Sequence, residues 1–197
     1  MVRHGQSVWN AQGRWQGQAD PPLSQLGLDQ ADAAGRHLTT WTRFDGIASS
    51  TLDRAATTCD RIAGHLGFGE PYRTSNLAER SAGEWSGLTR DEIEEQYPGY
   101  LRSRRYPPGY EHDDELLVRI RKGLRDVVEN VPGDRLLVVA HGGIVYCIEQ
   151  SLGLPFRHMQ NLGAIWLTIN GDVEIELGAR VDLLVDFEGP HTTPHQI

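Results

Sequence analysis

Two histidines in this chain stand at the ends of predicted strands, and each is followed by glycine. His4 comes after Met-Val-Arg at residues 1–3, and His141 comes after Leu-Leu-Val-Val-Ala at residues 136–140. In an open α/β sheet, ligands bind outside the carboxyl ends of the strands, and a glycine there lets the backbone approach a ligand closely. One such histidine alone would be explained as an ordinary hydrogen-bonding residue. Two of them on different strands can converge on one chemical site.

The residues around these histidines resemble the histidine phosphatase superfamily, the phosphoglycerate-mutase-like proteins. Arg-His-Gly-Gln-Ser-Val-Trp-Asn at residues 3–10 is similar to the family signature. Three further blocks follow in family order: a second arginine motif at 49–58, an acidic motif at 77–87 and a second histidine motif at 140–143. An isolated Arg-His-Gly is weak evidence, whereas four ordered blocks across roughly residues 1–150 are specific. The resemblance implies the broad-specificity phosphatase branch.

The implied chemistry explains why these residue types are needed. A phosphomonoester is a dianion, so its site must supply positive charge and directed donors to the equatorial oxygens. Arg3 and Arg54 can provide forked, permanently charged donors, which lysine would replace poorly. His141 would complete this cradle and, when protonated, balance the charge that develops during transfer. The candidates for further donors are Asn10, Gln16, Gly17 and the backbone N–H of Gly142.

By resemblance, His4 is the nucleophile and Glu79 is the general acid and base. One imidazole nitrogen of His4 attacks phosphorus while a backbone carbonyl holds the other and fixes the tautomer. Neighbouring cations favour the neutral ring that this attack needs. Glu79 would protonate the leaving alkoxide and then deprotonate the attacking water. The resemblance thus implies a metal-independent phosphomonoester hydrolase that acts through a phosphohistidine.

Three alternatives compete with this interpretation. A zinc or two-metal site would need carboxylates near the histidines. Arginine instead stands beside His4 and at position 54, which favours an anion, so we expect no metal and no cofactor. A binding module without turnover is a second alternative, although every residue that the chemistry needs is present. Mutase activity, which returns the phosphoryl group to a second hydroxyl, is the third.

Two features favour hydrolysis over mutase activity. Glycolytic mutases of the family carry a longer basic insertion in the region that corresponds to the short segment between Glu79 and His141. The form Trp-Gln-Gly at residues 15–17, followed by Asp20, is also more similar to the phosphatase branch. The substrate stays open among small phosphorylated metabolites such as sugar phosphates, phosphoglycerate derivatives or a ribazole phosphate, with phosphoproteins as a further option.

A loop-rich insertion at about residues 97–113 is the candidate specificity element. It contains Arg102, Arg104 and Arg105, which are either solvated charges or ligands for a second acidic group of the substrate. His112 stands where many phosphatases of the family have the serine of a Gly-Glu-Ser element. This departure removes the usual hydroxyl contact and could alter specificity.

The elements that must position these residues follow from the apolar periodicity. Predicted strands lie at 44–49, 72–74, 136–140, 164–170 and 173–177, and the last two form a hairpin across Asn-Gly-Asp at 170–172. Predicted helices lie at 25–41, 52–66, 89–97, 115–131 and 144–152. Strands that alternate with helices predict a three-layer α/β sandwich, in which helices cover both faces of a mostly parallel sheet. We expect one phosphoglycerate-mutase-like domain over residues 1–197, with a polar tail from about residue 186.

Composition excludes several classes of protein. A net charge of −8, from 27 acidic and 19 basic residues, argues against a nucleic-acid partner because phosphate backbones bind basic surfaces. No apolar run approaches the roughly 18 residues of a membrane span. The two cysteines, Cys59 and Cys147, suit a reducing cytoplasm. A small phosphorylated substrate is the expected partner, and a homodimer is one option.

Few residues precede His4. Members of the family have several apolar residues before Arg-His-Gly, whereas only Met1 and Val2 precede it here. We expect either a natural start further upstream or a shortened central strand.

Overall fold

A six-stranded sheet runs through the computed structural model, which describes residues 1–171 and 173–192. Its strands are β1 (Val2–Arg3), β2 (Gly46–Ser50), β3 (Tyr72–Thr74), β4 (Leu136–Ala140), β5 (Gly163–Asn170) and β6 (Glu174–Asp182). In space they are ordered β3-β2-β4-β1-β5-β6. The first four are parallel, whereas β5 is antiparallel to both β1 and β6. The expected α/β class with a mostly parallel sheet is confirmed.

Helices cover both faces of this sheet because alternate residues of its strands face opposite sides. Leu137 and Val139 of β4 pack into one core with two helices, and Val138 and Ala140 pack into a second core with two others. The helices of the first core are α2 (Gln25–Trp41) and α3 (Asp53–Leu66), and those of the second are α6 (Asp113–Asn130) and α7 (Gly142–Ser151). The short helices are α1 (Val8–Ala11), α4 (Arg90–Gln96) and α5 (Tyr100–Ser103). The three-layer arrangement is therefore confirmed.

The predicted helix ends agree with the observed ones where the sequence contains a cap. Thr89 and Glu92 form the capping box of α4, and the Thr89 N–H donates to the Glu92 carboxylate at 2.7 Å. Gly67 ends α3 in the left-handed conformation, at φ 73°. Helix α7, however, begins two residues before the predicted Ile144, with extended His141 as its N-cap. Its first two residues are glycines, which made the sequence resemble a loop there.

The predicted hairpin is present, but its second strand is longer than expected. Pairing between β5 and β6 continues past Leu177 to Asp182, with a register shift between Ile165 and Leu167. Such a bulge breaks the alternation on which the prediction of 173–177 relied. Asp172 of the predicted turn lies outside the described residues.

The insertion at 97–113 packs on a small aromatic core of its own. It contains one short helix, α5, and its Tyr97 and Tyr110 contact the buried ring of Trp85. The predicted polar tail is packed as far as it is described, because Thr192 exchanges hydrogen bonds with Asn161. His195 and the other residues at 193–197 lie outside the described part of the chain.

Candidate active site

The two histidines meet at the carboxyl ends of two adjacent parallel strands. Arg3 of β1 is paired with Ala140 of β4, so the next residue on each strand is a histidine. The His4 N–H donates to the Ala140 carbonyl at 3.1 Å, and the His4 and His141 ring centroids lie 5.2 Å apart. The strand order reverses beside β1, and ligands of open α/β sheets bind in the crevice at such a point. The two histidines lie at this crevice. Position 5 requires glycine for a reason other than the expected close approach to a ligand. A Cβ there would lie 2.5 Å from the Gly27 carbonyl oxygen of α2.

Contacts around His4 leave one ring nitrogen with a free lone pair. Its Nδ1 lies 2.6 Å from the Gly5 carbonyl oxygen. A carbonyl can only accept, so Nδ1 carries the proton and Nε2 of the neutral ring is unprotonated. Burial, and then the charges of Arg54 and Arg3, hold the pKa of His4 well below its usual value of 6.5. His4 is therefore a neutral imidazole at neutral pH.

His141 is bonded differently. Its Nε2 lies 2.9 Å from the Ser50 hydroxyl, whereas its Nδ1 is buried without a hydrogen-bond partner among the described residues. Burial lowers the pKa of His141 well below 6.5, and the charges of Arg54, His4 and Arg3 lower it further. A buried polar atom without a partner is rare and calls for a ligand or water.

The two arginines supply the positive charge beside these rings. Arg54 is fully buried, and its two terminal nitrogens donate to the carbonyls of Gly17 and Ala19, each at 2.8 Å. Burial lowers the pKa of Arg54 to about 10, while the charge of Glu79 opposes this shift. Arg3 is also buried, and it donates to the Met159 carbonyl. Both guanidinium groups stay charged at neutral pH, and the Nε atoms of both lack partners within the described residues.

Glu79 reaches this site from the other side. Its carboxylate accepts hydrogen bonds from the backbone N–H of Arg80 at 2.8 Å and from that of Gly143 at 3.1 Å. Gly143 lies in the first turn of α7, so the carboxylate caps the positive end of that helix. A Cβ at position 143 would lie 2.3 Å from Glu79 Oε1. The glycine therefore makes room for the carboxylate.

The remaining predicted donors surround the two histidines. Asn10 Oδ1 accepts from the Ser7 N–H at 3.2 Å and from Asn161 Nδ2 at 3.4 Å. Gln16 lines the cavity, and its Oε1 accepts from the Ser7 hydroxyl at 2.6 Å, which leaves its amide nitrogen as the donor. Gly17 contributes its carbonyl to Arg54. Gly142 is the first residue of α7, where backbone N–H groups have no partner within the helix.

A cavity of about 550 Å³ opens over His4, Arg3 and Glu79. Its outer wall mixes aromatic, aliphatic and charged side chains. Three of its charged residues are neutralised, because Arg80 and Asp113 pair with each other and Glu149 pairs with Arg180 outside the lining. The cavity exceeds the needs of a phosphate group, so it has room for the organic part of an ester. The outer lining includes Arg80, Arg104, Tyr106, Tyr110, Asp113, Tyr146, Glu149, Gln150, Leu154 and Phe156.

The structure separates the three arginines of the predicted specificity loop. Arg104 lines the cavity and adopts a left-handed conformation at φ 51°. Arg105 stacks on the Tyr100 ring at 4.4 Å from its centroid, and Arg102 is exposed on α5 outside the lining of the described cavity. His112 precedes α6 as its N-cap, and its ring contacts Tyr106 at a centroid distance of 5.7 Å.

Several residues of the site had no assigned role in the sequence. Ser50 binds His141, although it stands within the second arginine motif and could have been noticed there. Tyr146 lines the cavity and accepts from the Met159 N–H at 2.8 Å. Arg119 and Asn161 lie in helical or loop sequence without a local pattern, so no signal identified them.

Within residues 1–171 and 173–192, no cluster of three or more His, Cys, Asp or Glu side chains could hold a metal ion. No helix in that part of the chain is long and apolar enough to cross a membrane.

Comparison with known proteins identifies the class. Residues 1–172 match the family model of the histidine phosphatase superfamily, branch 1. The chain belongs to this superfamily, as the resemblance implied. Its membership supports phosphatase or mutase activity.

Some relatives of the chain are named as mutases and others as phosphatases. The chain is 37% identical over 163 residues to a 2,3-bisphosphoglycerate-dependent phosphoglycerate mutase of Methylorubrum extorquens, which covers 77% of each chain. It is 35% identical over 155 residues to a metal-independent phosphoserine phosphatase of Arabidopsis thaliana, which covers 75% of this chain and 65% of the relative. A mycobacterial glucosyl-3-phosphoglycerate phosphatase in complex with VO3 has a similar structure, with a TM-score of 0.78 and 29% identity over 91% of this chain and 96% of that one.

Proposed function

We propose that this protein is a cytoplasmic, metal-independent and cofactor-independent phosphomonoester hydrolase that forms a phosphohistidine on His4. One observation carries the proposal: His4 is a buried neutral imidazole whose Nδ1–H is bonded to the Gly5 carbonyl, with Arg3 and Arg54 beside it. A neutral nucleophile among permanent cations suits attack on a dianion.

In the proposed first step, His4 Nε2 attacks phosphorus with its lone pair, and the bond from phosphorus to the ester oxygen breaks. Arg3, Arg54 and the His141 Nδ1–H donate to the phosphoryl oxygens. The bound dianion raises the proton affinity of His141, which can gain a proton without losing Ser50, since a hydroxyl also accepts. The leaving oxygen takes a proton from the Glu79 carboxyl group.

In the second step, the Glu79 carboxylate takes a proton from water, and the water oxygen attacks phosphorus. The phosphorus–nitrogen bond breaks and its electron pair returns to His4 Nε2. Inorganic phosphate leaves, and the proton taken from water has restored the Glu79 carboxyl group. The single carboxyl group thus serves both half-reactions, because its two backbone donors, on Arg80 and Gly143, hold it in one place.

The cavity supports a substrate with a sizeable, partly apolar organic group. Tyr106, Leu154 and Phe156 line it while remaining 41%, 44% and 52% exposed, so they offer apolar area to a ligand. Arg104 offers a cation at the rim, which supports an acidic or hydroxyl-rich group on some substrates. We propose small phosphorylated metabolites as the substrate class, with no nucleic-acid partner. A homodimer is a further proposal, which a measurement of molecular mass in solution tests.

An assay of 4-nitrophenyl phosphate hydrolysis with and without EDTA tests this function. We expect full activity with the chelator and its loss in His4→Ala, with His37→Ala on helix α2 as the matched control. Activity that disappears with EDTA, or that survives in His4→Ala, would reject the proposed mechanism.

Mutase activity is the second candidate, favoured by the names of the relatives. A phosphoglycerate mutase of Allorhizobium ampelinum is 37% identical over 208 residues and covers 97% of both chains. Incubation with 3-phosphoglycerate, with and without 2,3-bisphosphoglycerate, distinguishes the two activities: release of inorganic phosphate supports hydrolysis, and 2-phosphoglycerate without phosphate release supports the mutase.

A further inference from the structure

One arginine of helix α6 holds the backbone segment that carries Glu79. The guanidinium group of Arg119 donates to three carbonyls: those of Asn76 at 3.0 Å, Ala78 at 2.8 Å and Glu79 at 3.2 Å. Three hydrogen bonds from one planar group fix three positions within a four-residue stretch of chain with a defined geometry. The segment around Glu79 is thereby attached to a long helix of the second core.

Arg119 is in turn held by Glu111. The carboxylate of Glu111 accepts two hydrogen bonds from it, at 2.9 and 2.7 Å, and also accepts from the Ser81 N–H at 3.1 Å. The Glu111 backbone carbonyl accepts from Arg80 Nη1 at 2.8 Å. Both sides of Glu79 are therefore attached to the same ion pair. The Arg119 and Glu111 side chains are only 19% and 16% exposed, which limits competition from water.

The segment needs such support because the sheet does not provide it. Strand β3 ends at Thr74, and Glu79 lies between two short 3₁₀ turns at Ser75–Leu77 and Gly83–Trp85. Its carboxylate fits closely, since a single added carbon at Gly143 would lie 2.3 Å from Oε1. A displacement of about 1 Å in a catalytic group can cost about a hundredfold in rate. The backbone at residue 79 must therefore be held to within a fraction of this distance.

We propose that the Glu111–Arg119 pair is a positioning device for the general acid Glu79. Neither residue touches the phosphate cradle, so both act through the backbone at 76–81. This inference rests on the proposed function, because it takes from that mechanism the role of Glu79 as the general acid.

Charges on this pair are present at working pH. Hydrogen bonds and charge from Arg119 outweigh the burial of Glu111, so the pKa of Glu111 lies below its usual value of 4.5. The pair is thus fully charged at neutral pH. It would weaken only when the pH falls through the lowered pKa of Glu111.

The test compares two substrates that differ in their need for an acid. A 2-phenylethyl ester has a poor leaving group and needs a proton from Glu79, whereas a 4-nitrophenyl ester leaves without one. For each variant, kcat/KM is measured on both, because this ratio reports the steps up to formation of the phosphoenzyme. Glu79→Gln sets the scale, with a loss of about a hundredfold or more on the alkyl ester and a much smaller loss on the aryl ester.

Arg119→Lys and Glu111→Gln test the device itself. Lysine keeps the charge near His141 but loses the fork that holds three carbonyls, so we expect a selective loss of about tenfold or more on the alkyl ester. Arg73→Lys is the control, because Arg73 is also paired with a carboxylate but lies on the surface: its Nη2 donates to both carboxylate oxygens of Asp60, at 2.6 and 2.8 Å. It should leave the substrate ratio unchanged.

Different failures are distinguishable. If both variants keep the wild-type ratio of kcat/KM between the two esters, the positioning role is wrong. It is also wrong if kcat/KM falls equally on both esters while vanadate still binds. If Glu79→Gln itself affects both esters equally, Glu79 is not the acid and the proposed function fails in that part. If Arg119→Lys does not fold, Glu111→Gln decides, since it removes the negative charge of the pair but keeps a side chain of similar shape.

Discussion

At the scale of single residues, the two histidines are distinguished by what binds their ring nitrogens. His4 has an acceptor-only partner at Nδ1, which fixes its tautomer and frees Nε2. His141 has the Ser50 hydroxyl at Nε2, which tolerates either protonation state. The same residue type can therefore serve as a nucleophile at one position and as a donor to phosphate at the other.

A substitution of Arg104 tests whether this residue binds a second acidic group of the substrate. It lines the cavity on its outer side, whereas Arg105 is occupied by the Tyr100 ring. We expect Arg104→Ala to lower kcat/KM about tenfold on a substrate with a second acidic group, such as 3-phosphoglycerate, and to leave 2-phenylethyl phosphate unchanged. A lost charge-assisted hydrogen bond of about 1.5 kcal/mol corresponds to this factor.

Arg105→Ala is the control for Arg104→Ala and should affect neither substrate. Equal losses on both substrates in Arg104→Ala would show that Arg104 supports the loop rather than the ligand. A loss of activity in Arg105→Ala alone would show that Arg105, and not Arg104, contacts the acidic group of the substrate.

At the scale of elements, the first turn of α7 couples the second histidine to the acid. His141 is the N-cap, Gly142 presents an N–H at the helix start, and the Gly143 N–H holds the Glu79 carboxylate. One helix terminus thus organises groups from two motifs that are far apart in the sequence.

Gly143→Ala tests this coupling. The added carbon would meet Glu79 Oε1 at 2.3 Å, so we expect the carboxylate to move and hydrolysis of 2-phenylethyl phosphate to fall about tenfold or more. The helix itself should tolerate alanine, which has a higher helix propensity than glycine. Steady-state kinetics and thermal unfolding of the same preparation separate the two effects.

Gly64→Ala is the matched control, because Gly64 lies in helix α3 and a Cβ there has nothing within 4 Å. It should retain full activity and stabilise the protein by about 0.5–1 kcal/mol. Full activity in Gly143→Ala would contradict the close fit of the carboxylate.

Most helices and strands could be predicted from the sequence, and the wrongly predicted bounds have local causes. The apolar run at 136–140 and the capping box at Thr89 carry strong signals, and both elements have the predicted form. Helix α7 and strand β6 were misjudged because paired glycines resemble a loop and a bulge breaks the alternation. Arg119 was missed for another reason. Its partners are backbone carbonyls, and no sequence pattern records where a carbonyl without a partner lies.

At the scale of the whole molecule, the local and global charges have opposite signs. The chain carries a net charge of −8, yet its cradle holds two buried guanidinium groups. Screening at physiological salt confines the long-range repulsion to roughly 8 Å, whereas the buried charges are screened little. The cradle can therefore bind a dianion within an acidic protein.

Buried histidines also make stability depend on pH. The pKa values of His4 and His141 lie well below 6.5 in the folded protein, so the unfolded chain binds more protons as the pH falls below 6.5. The free energy of unfolding must then fall with decreasing pH, by up to about 1.4 kcal/mol per pH unit for each histidine. We expect His4→Asn and His141→Asn each to show a flatter dependence between neutral pH and pH 5 than the wild type, measured by urea unfolding. Identical slopes in all three proteins would contradict the neutral, buried state of these rings.

In the proposed mechanism, the phosphoryl group passes through His4. The most direct measurement is mass spectrometry of the protein quenched in alkali during turnover of 4-nitrophenyl phosphate, since phosphohistidine survives alkali and is lost in acid. We expect one added phosphoryl group on the peptide that contains His4, its accumulation in Glu79→Gln if hydrolysis is slowed more than transfer, and its absence in His4→Ala. Turnover by the wild type with no phosphoryl group on His4 under these conditions, or with one on another residue, would contradict it.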